Sequence, residues 1–420
     1  MNKKHQPKKS LPLIIGILIL LGILFPKNAI SQTEIGFIMP EDVDKVEIKF
    51  EKFSNLIVLP IRINGSATVK FILDTGAETI ILTERLFADM LALNFVREIN
   101  IHGPGIIDSV KAFVAADVNM TLSGGIEGKS LNVLVLEKDY LELHKNLGEE
   151  VYGIIGYELF NRFVVSIDYD MEILTLYRPE SYKPRRSYKR VPIEIVDTKP
   201  YINQVFDQDG KSDTVRMMVD TGASHAALLD LEATDHLVLP QKLAPTRLGR
   251  GLSGEIPGYI GRIENCSIDQ FNFSNVLISI PESGAYSKAI KRGSRHGTIG
   301  GDILKRFKVV FDYSRESVYL RRGKYFKDQF EYNMSGITLI TDGKKLDSLK
   351  VIEVTKNTPA HKVGVLKGDK VLKINGLDLE NSSISEINAL LRKKSGLKIK
   401  MTIWRNGQKI KKEFRLDRLI

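Results

Sequence analysis

The run FILDTGAETIIL at residues 71–82 ends an apolar strand pattern on an aspartate, Asp74, followed at once by Thr75, Gly76 and Ala77. A second run, MMVDTGASHAAL at 217–228, repeats the arrangement with Asp220, Thr221, Gly222 and Ala223. A carboxyl beside a core strand is costly unless it is paired, hydrogen-bonded or used. One copy alone reads equally well as a turn, because Asp and Gly favour turns. Two copies call for a shared explanation.

The surroundings of the two runs also repeat. Asp74 and Asp220 lie 146 residues apart, and GIIGYELFNRFVVSIDY (153–169) recurs 144 residues later as GTIGGDILKRFKVVFDY (297–313). Gly156, Arg162, Phe163 and Asp168-Tyr169 match Gly300, Arg306, Phe307 and Asp312-Tyr313. Such self-similarity identifies a duplicated unit. In the first half IVLPIRI, ATVKFIL, VKAFVAADV, LNVLVL and FVVSIDY predict short strands between Gly, Asn and Ser turns. TVRMMV, GRIENCSI, NVLISI and FKVVFDY do so in the second, while TERLFADML (83–91) and YELFNRF (157–163) are the best helical stretches. The polar, basic stretch RPESYKPRRSYK (178–189), with two prolines, predicts the boundary between two lobes, 45–180 and 190–322.

A chain of 420 residues with 43% apolar and 27% charged residues has room for two or three domains with cores. Five lysines and no acid occupy the first 31 residues, so half of the +10 net charge sits there. The clusters KPRRSYKR (183–190) and KRGSRH (291–296) lack the aromatic interleaving of a nucleic-acid module and read as solvated linker or loop. No nucleic-acid partner is expected. A basic start, MNKKHQPKK, precedes the apolar run LPLIIGILILLGILF (11–25), which is short for a bilayer span and suits a signal segment. Ala29 and Ser31 stand at the −3 and −1 positions of a cleavage site, so 1–31 is expected to direct export to a periplasm or cell envelope. An uncleaved anchor is the alternative, and would be the chain's one link to a membrane. Cys266 is the only cysteine, which excludes an intramolecular disulfide.

An aspartate on a tight turn at a strand end holds its carboxyl rigidly in a cleft. Gly76 and Gly222 allow close backbone approach there. Thr75 and Thr221 offer hydroxyls that can bond to the other lobe. If the lobes face each other, Asp74 and Asp220 meet and share one proton, because like charges at short range cannot both ionise easily. The ionised carboxylate can activate water while its protonated partner polarises a carbonyl. Asp168 and Asp312, each in a strand ending D-Y beside a turn, read as structural. His225 has Thr79 as its counterpart and no second His or Cys at ligand spacing, so it reads as a structural or subsite residue. Glu78 reads as a solvated residue. Neither a metal nor a cofactor is expected.

These residues resemble the aspartic proteases, in particular the retropepsin-like branch. The paired D-T-G-A tetrads match that family's active-site loops, and Ile154-Ile155-Gly156 and Thr298-Ile299-Gly300 its later apolar-apolar-Gly element, with Thr298 a departure. HGPGIIDSVKAF (102–113) and GRGLSGEIPGYIGRI (249–263) resemble flap hairpins. The resemblance, over about residues 45–322, implies Asp74 and Asp220 as catalytic groups, with Gly103, Gly105, Ile106, Gly251 and Gly254 over a peptide or protein substrate. It implies endoproteolysis. Pepsin-like relatives carry Ser or Thr where Ala77 and Ala223 stand. Without that hydroxyl to lower the carboxyl pKa, activity is expected near pH 5–7.

Residues 330–420 change character. NTPAHKVGVLKGDKVLKING (357–376) is similar to the signature of bacterial PDZ domains, departing at Val363. SGITLI (335–340), with Gly336, Ile337 and Leu339, is then the carboxylate-binding loop and first strand, and ISEINALLRK (384–393) the helix walling the groove. A C-terminal or internal peptide segment would bind as an added strand. The expected architecture is mainly β: two homologous aspartic-protease lobes facing across a cleft, followed by an α+β PDZ domain.

Overall fold

The computed structural model describes residues 35–107, 109–230, 233–234, 237–284, 295–343 and 345–420. The expected export segment and most of the basic loop at 291–296 lie outside the described residues. Gly36–Ile420 cluster as one unit, so the lobes and the tail are treated together.

The apolar run ahead of Asp74 forms the strand Ala67–Leu73, and Val151–Ile155 pairs parallel to it, with Ile154 opposite Ile72 and Ile155 opposite Leu73. The same inserted strand pairs antiparallel with Ile80–Leu82, on the far side of the DTGA loop. The second lobe repeats this motif. Gly297–Ile299 lies between Lys211–Val219, in parallel, and Ala227–Leu229, in antiparallel orientation. The apolar-apolar-Gly elements are thus strands threaded through the aspartate loops. That explains the constant spacing of the two repeated blocks.

Around these motifs lobe 1 builds a nine-stranded sheet and lobe 2 an eight-stranded one. A six-stranded sheet joins them, in the order 189–192, 317–322, 307–312, 164–168, 173–177, 45–49. Its central pair comes from the D-Y blocks, with Val165 opposite Phe311 and Ile167 opposite Val309. One apolar core runs through all three sheets, from Phe37 to Phe330. The expected helices are shorter than the sequence pattern suggests, Arg85–Met90 and Tyr157–Phe160. In the second case Phe163 is drawn into the core and the chain leaves as the strand Val164–Asp168.

Asp168 and Asp312 close turns at the ends of this shared sheet. Asp168 accepts from the amides of Asp170 and Met171 at 3.0 and 3.1 Å and pairs with Lys308. Asp312 accepts from Ser314 Oγ at 2.7 Å and pairs with Arg315 at 2.6 Å. Both carboxylates are committed to structure.

The tail is a five-stranded antiparallel sheet, Ile337–Asp342, Ser348–Val354, Lys370–Ile374, Lys398–Arg405 and Gln408–Arg415, with its own apolar core. Its long helix, Ile384–Leu391, starts at a capping box between Ser383 and Glu386. Lobe 2 holds the linker to this module. The buried Arg306 stacks on Phe330 at 3.6 Å and donates to the carbonyls of Tyr325 and Asp328. Arg262 donates to Phe330 O at 2.8 Å, and Thr246 Oγ1 meets Tyr332 Oη at 2.7 Å.

Candidate active site

Both aspartate loops are held from below by the same backbone bond: Asp74 N donates to Ile155 O, and Asp220 N to Ile299 O, each at 2.8 Å. The two threonines then cross over. Thr75 Oγ1 donates to Val219 O at 2.6 Å, and Thr221 Oγ1 to Leu73 O at 2.8 Å. Each hydroxyl also accepts from the other threonine's amide at 3.0 Å. Both threonines are buried, so this four-bond knot works in low dielectric, where a lost partner leaves an unpaid desolvation cost. It ties the two loops directly to each other, in addition to the bonds that hold each in its own lobe.

The knot brings Asp74 and Asp220 together with their carboxyls hydrogen-bonded to each other. Gly76 N donates to Asp74 Oδ1 at 2.7 Å and Gly222 N to Asp220 Oδ1 at 2.9 Å. The glycines are required by space. A Cβ on Gly222 would lie 2.2 Å from Asp74 Cγ, whereas one on Gly76 would lie 3.1 Å from Asp74 Oδ1. Asp74 therefore leans across onto the lobe-2 loop. Burial raises both carboxyl pKa values, and for Asp220 the negative charge of Asp74 raises it further. The pair is built to keep one proton between its two carboxyls.

Tyr313 adds a buried hydroxyl without a partner near this pair. Burial first, then the field of Asp74, Tyr157 and Asp220, pushes its pKa well up, so it remains a neutral phenol. His225 packs against the inserted strand, with Asp302 N donating to its carbonyl at 3.1 Å and its Nε2 buried without a partner. Burial lowers its pKa to about 4. Glu78 is mostly exposed and pairs with Lys199 at 3.6 Å.

Above the carboxyls the two flap candidates interlock. Lobe 1 contributes the hairpin Asn94–Ile101 and Val110–Leu122, and lobe 2 the hairpin Leu243–Gly251 and Gly254–Ile268. Ser253 N donates to Pro104 O at 2.9 Å, and Ile107 N to Ser253 O at 2.8 Å. Gly103, Gly105 and Gly251 stand where these backbones cross, since a Cβ on Gly105 would lie 2.2 Å from Ser253 C and one on Gly251 2.2 Å from Pro104 O. Gly254 closes the lobe-2 turn with φ +96°. Ile106 points outward and is 68% exposed. Leu252, at the lobe-2 tip, packs into the apolar wall of lobe 1 formed by Ala77, Ile81, Ala112, Leu136, Leu141 and Ile154.

The PDZ-type residues are placed differently. Gly336 and Ile337 are buried, and Ile337 and Leu339 point into the tail's own core. Ile337 N donates to Ser335 Oγ at 3.3 Å, and Ile337 O accepts from Asn333 Nδ2 at 2.7 Å. Sequence reasoning missed Leu252, Ser253, Arg250 and Tyr313. The first three lay inside the quoted flap segment, but nothing local announces partners some 110–150 residues away. No group of three or more potential metal ligands occurs among the described residues.

The family model described as aspartyl protease matches residues 59–159 and 205–303, and that described as PDZ domain matches 329–416. Two carboxy-terminal processing proteases of Bacillus subtilis are similar, CtpA at 29% identity over 86 residues and CtpB at 29% over 107. These matches take in 20% and 24% of this chain and 18% and 22% of the relatives, so the chain spans about a fifth of their length. A crystal structure of an aspartic proteinase from Irpex lacteus superposes at 15% identity with a TM-score of 0.40, covering 68% of this chain and 99% of that one.

Proposed function

We propose, from the premise that the chain consists of two aspartyl-protease segments and a PDZ domain, that it is an exported, retropepsin-like aspartic endopeptidase. Asp74 and Asp220 share the acid and base roles. The observation that carries the reading is the carboxyl pair itself, hydrogen-bonded across the lobes on loops tied by reciprocal threonine bonds. A binding protein gains nothing from two buried carboxyls that share a hydrogen bond, whereas peptide hydrolysis needs one protonated and one ionised.

In the resting site the ionised carboxylate of the pair takes a proton from a water as that water attacks the peptide carbon. Its protonated partner donates a proton to the carbonyl oxygen, giving a tetrahedral gem-diol. Collapse breaks the C–N bond as a proton passes to the departing nitrogen, and the pair ends with one proton again. Nothing covalent forms with the protein. An extended peptide enters between carboxyls and flaps, so the interlocked tips must part for each substrate.

Export rests on the basic start, the apolar run at 11–25 and the small residues at 29 and 31. The test is a cleavage assay on a broad peptide library between pH 3 and 8, with Asp74→Asn and Asp220→Asn beside the parent. Cleavage lost in both variants supports the dyad. A folded parent chain inactive throughout the range would sink the reading.

A further inference from the structure

The groove of the tail module lies between the edge strand Ile337–Asp342 and the helix Ile384–Leu391. Its two ends are distinct. Met334 N donates to Leu391 O at 3.0 Å, so the loop at 334–336 sits by the helix C-terminus. At the other end, beside Thr341 and Ile384, the groove already has an occupant from lobe 1. Thr341 Oγ1 donates to Lys145 O at 2.9 Å, and a Cβ on Gly148 would lie 2.9 Å from Ile384 Cγ2 and 3.0 Å from Thr341 Cγ2. Thr341 and Ile384 are both buried, Ile384 also as a member of the tail's own core.

The occupying segment, DYLELHKNLG (139–148), carries the short helix Leu143–Leu147, with left-handed residues at Glu142 (φ +48°) and Gly148 (φ +69°). Its other end reaches the lobe-2 flap. Arg250 Nε donates to Tyr140 O at 2.6 Å, and Arg250 Nη1 pairs with Glu142 at 3.3 Å. Leu143 packs in the same apolar cluster as the flap-tip Leu252. One short segment therefore touches the groove with its last residues and the flap with its first.

We infer that residues 139–148 form a relay through which a polypeptide C-terminus entering the tail groove frees the lobe-2 flap. A ligand chain that ends beside Gly336 and is laid along the edge strand reaches Thr341 after about five residues, at roughly 3.3 Å per residue. Shorter ligands fit without conflict. Longer ones meet the Lys145–Gly148 turn and must displace it, which carries Tyr140 and Glu142 away from Arg250. The coupling free energy is the difference in ligand affinity between docked and displaced arrangements, so the effect is reciprocal: parting the flap favours longer ligands. The occupant is a polypeptide C-terminus because the groove is a sheet edge flanked by a helix, and the relay already fills one end of it with the Lys145 carbonyl and Gly148 against Thr341 and Ile384. The consequence for catalysis rests on the endopeptidase reading, but displacement and flap motion do not.

The test uses the full-length chain and hydrogen exchange of the flap amides at 243–254. Replacing Gly148 and Ile384 by cysteine places two Cβ atoms 3.6 Å apart, within disulfide range, and Cys266 is buried. Oxidation with diamide should lock the relay in the groove and slow flap exchange at least threefold, and reduction should reverse this in the same sample. Thr341→Val, which removes only the bond to Lys145 and lies outside the lobes, should speed flap exchange by a similar factor. A pooled library of ten-residue peptides with free C-termini should speed flap exchange in the parent and the reduced protein. It should have no effect in the oxidised protein, and neither should the same peptides cut to their last four residues in any of them. Where cleavage is measurable, it should follow flap exchange. Flap exchange that ignores the crosslink and Thr341→Val would overturn the relay, and so would ten-residue peptides that leave it unchanged in the reduced protein. Absence of cleavage with exchange responding as expected would instead count against the endopeptidase reading alone.

Discussion

The two lobes carry the same loop and different walls. Where both lobes meet, the match is complete: the DTGA tetrads, the 2.8 Å bonds to Ile155 and Ile299, and the crossed threonines. Behind them lobe 1 has Thr79, Ile154 and Glu158, and lobe 2 has His225, Thr298 and Asp302. Glu158 accepts from Ile80 N at 2.9 Å in lobe 1, whereas Asp302 pairs with Lys305 at 2.6 Å in lobe 2. A bond across the two-fold needs both ends, so a change in one lobe leaves a buried group orphaned in the other. A wall residue answers only to its own lobe and is free to differ.

The comparison breaks most sharply at the carboxyls. Asp74→Asn and Asp220→Asn should each lower kcat about a thousandfold or more, as loss of a positioned acid or base does, measured on any substrate found in the library. Equal losses mean that the lobes act as a unit, and a mild loss in one would make that lobe a passive wall. The glycines should divide where the aspartates do not. Gly222→Ala drives a Cβ to 2.2 Å from Asp74 Cγ and should abolish turnover, while Gly76→Ala, whose nearest contact is 3.1 Å, should leave measurable activity. Comparable losses would show that Asp74 does not lean as described.

Next comes the knot. Thr75→Ala or Thr221→Ala strands a carbonyl and an amide of the opposite lobe in the core. Each should cost roughly 2–4 kcal/mol in urea denaturation, taking about 1–2 for each orphaned group. Thr75→Ser should recover most of that. Stability should also depend on pH with a definite sign. Burial raises the carboxyl pKa values of the folded pair above the ordinary 3.8, so folding takes up protons and stability falls as pH rises above about 4 through the folded values. His225, lowered from 6.5 to about 4, works oppositely, with stability present above 6.5 and lost as pH falls toward 4. Asp220→Asn should flatten the first slope and His225→Gln the second, in thermal melts across pH 4–8. The smallest change restores symmetry. Thr298 is buried with its hydroxyl unpartnered, and Thr298→Val should stabilise the chain by about 1 kcal/mol, moving lobe 2 toward the Ile154 of lobe 1.

Much of this was legible in the chain because it is local or repeated. An apolar run ending in DTGA, met twice with the same later block, carries the duplication, the strand before each loop and the chemistry of a shared proton. The inserted strand at Ile155 and Ile299 could be read as a matching block. Its passage between the strands on either side of each loop could not, since parallel pairing leaves no local mark. Helix extents were overread at YELFNRF, where the pull of Phe163 into a three-sheet core outweighs one further turn.

Sequence by itself determined the two carboxyls, the tetrads that hold them and the separate character of the tail, because each is written in contiguous residues with an internal copy for comparison. Only the tertiary structure decided that Asp74 leans onto Gly222, that Leu252 and Ser253 close one flap upon the other, and that the segment 139–148 joins the tail groove to Arg250. Those depend on side chains and carbonyls brought together across 110 to 196 residues of chain. Contacts at that separation are fixed by packing of whole sheets, and no short stretch of sequence carries a record of them.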